Sequence, residues 1–434
     1  MTPATLTYRV HGCTVHEHTL HLPLDRSDSA SELIPVFARE IIADGGENRP
    51  YLVFLQGGPG SPSPRQGDPT SGWIGRALKE YRVLLLDQRG TGRSHRLDEL
   101  TLSGLGSDAE RADYLTHFRA DAIVADAEDF RAALGSGPWF ALGQSYGGFC
   151  LTTYLSRAPE GLAGVYITGG LPGVGVSVDD IYRRTYAQTI RRNRVYLERF
   201  PDAELIREIA RHLEASDERL PTGERLSARR FRTLGMNLGT TTGFDALHFL
   251  LEDPFVTVRG RRRLSIPFLV RAADQLSFAD RPLYALMHET IYAGATPALA
   301  GIPTAWAADR IRSEFDGMAE DDSPDGEQFY LTGEHIYPWQ FDEDPALIPL
   351  KGTAELLAAK TDWSPLYDEA VLAENDVPVA AAVYAEDMFV PTEYSLALAD
   401  MLGARVWLTN EYQHDGLRAS SGEVLGRLID LAKQ

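Results

Sequence analysis

The chain has 434 residues, 62 of them acidic against 42 basic, with a formal net charge of −20. That balance argues against nucleic acid as a partner, because phosphate backbones require a clustered basic face. With 44% hydrophobic and 24% charged residues the composition is that of a globular protein. No apolar run approaches the roughly 20 residues of a membrane span.

The length exceeds one average domain but suits a single large α/β domain carrying an insertion. Met1 to Thr7 has neither the basic nor the apolar region of a secretory signal, so a cytoplasmic location is expected, with no membrane partner. His16 and His18 alternate along an N-terminal strand, with His11 and His21 nearby. They read as a polar strand face, since no compact ligand spacing accompanies them, and no metal is expected.

Tyr51 to Leu55 is an apolar strand running into Gln56-Gly57-Gly58-Pro59-Gly60. Glycines there let a backbone approach a ligand and expose bare N–H groups. Tyr81 to Leu86 is a second strand, running into Asp87-Gln88-Arg89-Gly90-Thr91-Gly92-Arg93-Ser94. Asp121 to Leu134 places Ile123, Ala127, Phe130 and Leu134 on one helical face. Pro138 to Leu142 is a short buried strand, and Gly143-Gln144-Ser145-Tyr146-Gly147-Gly148 follows it. Phe149 to Arg157 is helical and stops before Pro159.

A serine in G-x-S-x-G, between a strand and a helix, is the nucleophile elbow of α/β-hydrolases. The sharp turn pushes the serine Oγ out above the sheet, and glycines two residues away on either side make room. The following helix aims its first N–H groups at the place where an oxyanion forms. The expected fold is therefore α/β, a mostly parallel central sheet flanked by helices. In this fold a glycine-rich loop such as Gln56 to Gly60 supplies the second oxyanion donor. Cys150, just behind the elbow, reads as a small buried hydrophobe. Two cysteines and no C-x-x-C give neither a disulfide framework nor a metal site.

Beyond Leu171-Pro172-Gly173 the core pattern stops until about Trp363. Residues 1–172 and 364–434 are expected to form the two parts of the core, and 173–363 a mainly helical cap. Asp180 to Phe200 reads as a long helix with Tyr182, Tyr186, Ile190 and Leu197 on one side. Arg259, Arg261, Arg262 and Arg263 read as a solvated turn, and Glu320, Asp321, Asp322, Asp325 and Glu327 as a solvated loop. Val377 to Tyr384 is again an apolar strand, followed by Glu386 and Asp387. Ala404 to Thr409 is another, leading to His414. A closing helix has Val424, Leu425, Leu428 and Ile429 as its apolar face and Ser420 with Glu423 as a capping box.

A serine hydroxyl needs a histidine base, and the base needs an acid to hold its tautomer. This fold orders them Ser, acid, His. Among eleven histidines, His414 stands on the loop after the last strand, where the base belongs; His95, His288 and His335 do not. Asp387 is the candidate acid, with Glu386 as its neighbouring alternative, and Ser145 is the nucleophile.

The segments 56–60, 87–94 and 143–148, with His414-Asp415-Gly416, together resemble the proline iminopeptidases (prolyl aminopeptidases), especially their longer members, from about Tyr51 to the C-terminus. The D-Q-R-G-x-G-x-S run is the most specific part. Gln56 stands where shorter members usually carry a histidine. The resemblance implies a cofactor-free serine peptidase that removes N-terminal proline from peptides with a free N-terminus. Ser145 would attack the prolyl carbonyl, His414 would shuttle the proton, and Asp387 would orient His414. Backbone N–H groups of Tyr146 and Gly58 (or Gly57) would hold the oxyanion. The family binds the substrate amine with cap glutamates, and a buried ammonium needs carboxylate partners. Glu289 and Glu334, each beside aromatics, are the candidates.

Two rivals remain on the same sequence. A carboxylic-ester hydrolase would keep Ser145, Asp387 and His414 and need no amine-binding carboxylate. A non-catalytic binding protein on this scaffold would not need the complete set. Epoxide hydrolases and dehalogenases require a carboxylate nucleophile where Ser145 stands.

Overall fold

Strands that are apolar along their whole length must be covered on both faces, and such strands make the centre of this molecule. The computed structural model describes residues 4–433. In chain order the strands are β1 (Ala4–Val10), β2 (Cys13–Pro23), β3 (Leu33–Ala43), β4 (Tyr51–Leu55), β5 (Arg82–Leu86), β6 (Trp139–Gln144), β7 (Leu162–Thr168), β8 (Phe255–Val258), β9 (Arg261–Leu264), β10 (Val379–Tyr384) and β11 (Arg405–Thr409). Nine form one sheet in the order β1-β2-β3-β5-β4-β6-β7-β10-β11, and β8 pairs only with β9. From β1 to β5 neighbouring strands run antiparallel, and from β5 to β11 they run parallel.

The pleat sorts each central strand onto two cores. Tyr51, Val53 and Leu55 of β4 pack with Ile123 and Phe130 of α1 (Ala120–Ala133) and with Leu151 of α2 (Tyr146–Arg157). Leu52 and Phe54 turn to the other face, against Trp73, Val424 and Leu428. Each large side chain so covered contributes about 1.5–3 kcal/mol. Cys150 packs in the first of these cores, and burial pushes its thiol up, as suits a packing residue.

Between β7 and β10 the chain leaves the sheet. α3 (Val178–Arg199) is followed by further helices, among them α4 (Ala307–Arg312). α3 buries Tyr182 and Tyr186 as the pattern predicts, but Asn193 and Tyr196 continue the buried line while Ile190 and Leu197 are half-buried. The arginine run forms the β8–β9 hairpin, with Arg263 pairing to Glu218 at 2.9 Å. Glu320 is not a free loop residue: it joins Arg229 and Arg312 in ion pairs and ties two helical segments together. His18 is buried beside Glu40 at 3.0 Å, so that side of β2 faces the interior.

The last two helices are α5 (Gly416–Ala419) and α6 (Glu423–Ala432). The expected capping box on α6 is absent. Gly422 takes the N-cap with φ +100°, Ser420 Oγ accepts from Val424 N–H at 3.2 Å, and Glu423 accepts from Tyr412 instead. The short α5 uses the residues between strand and helix, which displaces the cap by two positions.

The D-Q-R-G-T-G-R-S run is a buried polar clamp. Asp87 is fully buried and accepts from Ser63 N–H at 3.1 Å, Arg93 N–H at 3.0 Å and the Arg65 guanidinium at 3.0 Å. Arg89, also buried, grips Asp126 through both carboxylate oxygens at 2.8 and 2.7 Å and donates to the carbonyls of Leu24 and His117. Ser94 Oγ donates to the Asp87 carbonyl at 2.6 Å, and Phe37 N–H donates to Ser94 Oγ at 2.8 Å. Gln88, held between these anchors, donates from Nε2 to the Gln56 carbonyl at 3.0 Å. The motif thereby fixes the glycine loop after β4. Removing one partner from a buried ion pair costs about 3–5 kcal/mol. Arg89→Met is therefore expected to destabilise the protein by about that much, read as a lowered urea midpoint with the slope unchanged.

Candidate active site

Ser145 stands between β6 and α2 with φ +56° and ψ −127°, a backbone that a non-glycine residue adopts only under constraint. The constraint is visible in its neighbours. A Cβ on Gly143 would lie 2.5 Å from the Gly147 carbonyl oxygen, and one on Gly147 would run into the Leu55 carbonyl. β4, β6 and α2 can approach this closely only with glycine at both positions. Ser145 is half-exposed although the rest of the turn is buried.

The two remaining members arrive from the parallel strands beyond β7, at the carboxyl end of the sheet. Asp387 follows β10 and His414 follows β11. Asp387 Oδ2 lies 2.8 Å from His414 Nδ1, and both side chains are buried. The other carboxylate oxygen accepts from Phe389 N–H at 2.9 Å and Val390 N–H at 3.0 Å. An acid pinned this way assigns the proton to Nδ1 and leaves Nε2 as the acceptor. Phe389 stands edge-on to the imidazole, ring centres 4.9 Å apart. Burial acts to lower the His414 pKa, but the charge and hydrogen bond of Asp387 outweigh it, with Glu334 adding to them, and the net shift is upward. Glu386 is engaged elsewhere, by Arg192 at 2.9 Å, so Asp387 rather than its neighbour faces the histidine.

Ser145, His414, Gly57, Gly58 and Glu334 line one cavity of about 390 Å³. Tyr146 is the first residue of α2, where a helix has no acceptor of its own for the N–H. Gly57 lies against the serine, since a Cβ there would come 2.9 Å from Ser145 Cβ. Its N–H donates to Gln56 Oε1 at 3.1 Å. Gln56 thus occupies the Gly57 donor.

The two candidate glutamates part company. Glu334 lines the cavity and accepts from the Tyr284 hydroxyl. Among the described residues no cation stands within ion-pair distance of it. Glu289 does not line the cavity. Its Oε1 accepts from Ala308 N–H at 2.9 Å in the first turn of α4, and its Oε2 is buried without a partner. Burial pushes its carboxyl up to about 7, against the hydrogen bonds from α4. Tyr182 and Tyr292 each lie near enough to feel the charge of both glutamates, and His288 that of Glu334. Tyr292 packs edge-on to both others, ring centres 6.2 and 6.4 Å apart, and edge-on to Phe149 at 5.9 Å. Burial lowers the pKa of both His288 and His335, the latter to about 3, so neither supplies a cation here.

Sequence reasoning missed Tyr284, which hydrogen-bonds Glu334, and Phe389, which braces His414. It also missed Met236, Asn237, Asp274, Gln275, Arg281 and Arg418 on the cavity wall. Phe389 lies two residues after Asp387 and was within reach of a local argument. The others come from the insertion or from α5 and belong to no motif.

The sheet, the strained elbow and the Asp387–His414 pair define an α/β-hydrolase, and a family model described as the alpha/beta hydrolase fold matches residues 50–279. A proline iminopeptidase of Aeromonas sobria is 44% identical over 432 residues, 98% of each chain. One of Aspergillus aculeatus is 32% identical over 434 residues, 96% of this chain and 94% of its own. A third, from Neisseria gonorrhoeae, is 30% identical over 118 residues, 27% of this chain and 32% of its own. The chain belongs to the proline iminopeptidase family of α/β-hydrolases, which bears out the resemblance read from its motifs.

Two outcomes follow from the electrostatics. The acid limb of kcat/KM should fall above the ordinary histidine value, because Asp387 raises His414. Asp387→Asn should cut kcat by roughly 10⁴-fold while leaving the fold intact. Glu289 should also leave a mark on stability. Its folded pKa of about 7 exceeds the ordinary 4.5, so stability is full below 4.5 and falls as pH rises through 7. Glu289→Gln should therefore be more stable than the wild type at pH 8 by about 3 kcal/mol, read as a higher unfolding temperature, with the gap closing by pH 4.5.

Proposed function

We propose that this protein is a serine aminopeptidase that releases N-terminal proline from peptides through an acyl-enzyme. The observation that carries the reading is Glu334, a carboxylate without a cation, in the same cavity as Ser145 and His414. A half-buried carboxylate is stabilised by a positive partner, and the free amine of a peptide supplies one. The 44% identical Aeromonas sobria relative, a proline iminopeptidase by name, agrees with this choice of substrate.

The chemistry proceeds in two halves. His414 Nε2 takes the Ser145 hydroxyl proton as Oγ attacks the prolyl carbonyl carbon. The carbonyl oxygen becomes an oxyanion facing the N–H groups of Tyr146 and Gly58. His414 then returns the proton to the leaving amine, and the peptide departs one residue shorter. Water, activated by the same imidazole, releases proline from Ser145. Asp387 holds the tautomer and stabilises the imidazolium in both halves.

Glu334 with Tyr284 is proposed to fix the secondary ammonium of proline one bond from the scissile carbonyl. Met236, Tyr284 and Phe389, on the cavity wall, offer apolar surface for the pyrrolidine ring. Glu289, outside the cavity, is proposed to act on it only through Tyr182 and Tyr292, and residues 173–363 to act as a cap domain over the serine.

Prolyl amide and its N-acetylated form separate this reading from an ester hydrolase. The free amine should be preferred by at least about 10²-fold in kcat/KM, since capping leaves Glu334 unpaired. Glu334→Gln should erase most of that preference. Equal kcat/KM for capped and free substrates would contradict the assignment.

A further inference from the structure

The loop that carries His414 leaves the sheet early. β11 ends at Thr409, and from the elbow Gln144 Nε2 reaches the His414 carbonyl at 3.4 Å. Asp387 and Phe389 hold the imidazole, and further contacts come from the insertion. The Gly239 carbonyl accepts His414 N–H at 3.2 Å. Thr241 Oγ1 accepts from Gln413 N–H at 3.2 Å and donates to Asp415 Oδ1 at 2.7 Å. Thr241 N–H reaches the same carboxylate oxygen, also at 2.7 Å. Residues 413, 414 and 415 are thus each held by residues 239–241, at the end of the turn Thr233–Gly239.

The acid's loop is held from the same side. Arg192 of α3 donates Nε to the Leu238 carbonyl at 3.0 Å and Nη1 to Glu386 at 2.9 Å, beside the residue that orients the base. A Cβ on Gly239 would run into the Phe389 ring, so this turn is packed against the residue that braces the imidazole.

We propose that Thr241 and Asp415 are positioning residues that clasp the His414 loop to the insertion, so that the base is in register only while the insertion is docked. The inference rests on reading His414 as the base. Met236, Asn237 and Thr240 of the same turn line the cavity. One short segment therefore meets substrate on one side and sets the imidazole on the other. A misplacement of about 1 Å in such a group can cost roughly 100-fold in rate.

Thr241→Val keeps the side-chain shape and removes the hydroxyl, and Asp415→Ala removes its acceptor. With prolyl 4-nitroanilide, each should lower kcat per mole of folded enzyme by about 10–100-fold, with KM within about twofold of the wild type. Thr241→Ser should recover most of the loss. The double variant should be no worse than the poorer single one, because both cut the same clasp. If Thr241→Val does not fold, the near-isosteric Asp415→Leu, which lacks the acceptor, should show the same split between kcat and KM. Variants that lose thermal stability but keep wild-type kcat overturn the proposal. His414→Ala keeps the two failures apart. If it stays active, the reading of the base is wrong; if it is dead while the clasp variants retain full kcat, only the clasp is wrong.

Discussion

The arrangement turns on one strained residue. Ser145 holds a positive φ because β6, β4 and α2 converge where Gly143 and Gly147 leave no space for a side chain. Without that convergence the serine would continue a strand or a helix, and its hydroxyl would be covered. The strain is maintained by a core in which β4, β6, β7 and β10 are buried almost throughout. The Gln88–Gln56 hydrogen bond extends the constraint to the glycine loop, so Ser145 and that loop are set by one packed centre.

The core was legible because its chemistry is local. Gly143 to Gly148 needs its residues within a single turn, and Asp387 and His414 each follow an apolar strand. Strand and helix limits fell within a few residues: Asp121 to Leu134 became Ala120–Ala133, and Val377 to Tyr384 became Val379–Tyr384. The D-Q-R-G-T-G-R-S run was recognised without its mechanism. Nothing in the sequence shows that Arg89 will meet Asp126, because the pair forms only when α1 packs on the sheet.

The insertion was far less legible, for the converse reason. Tyr284 and Glu334 are 50 positions apart, and Arg192 and Glu386 are 194 apart, so no spacing rule connects them. Glu289 illustrates the limit. Beside aromatics it reads like Glu334, yet its carboxylate turns to the first N–H groups of α4, an acceptor role that depends on where a later helix begins. The Ser420 cap failed similarly, because the intervening α5 could not be read from the pattern of α6.

Glu334, half-buried in the cavity beside Tyr284 and with no cation in contact, is the carboxylate this site presents to a positive charge. On the proposed reading, Ser145, His414 and the N–H groups of Tyr146 and Gly58 supply acyl transfer, and Glu334 selects a substrate with a free amine. The central claim is that the prolyl group passes through Ser145. Rapid acid quench of the enzyme with a prolyl ester, followed by mass spectrometry of its proteolytic fragments, tests this most directly. The account predicts a prolyl adduct on the fragment containing Ser145, lost in Ser145→Ala together with turnover. Continued release of proline by Ser145→Ala, or an adduct on another residue, would contradict it.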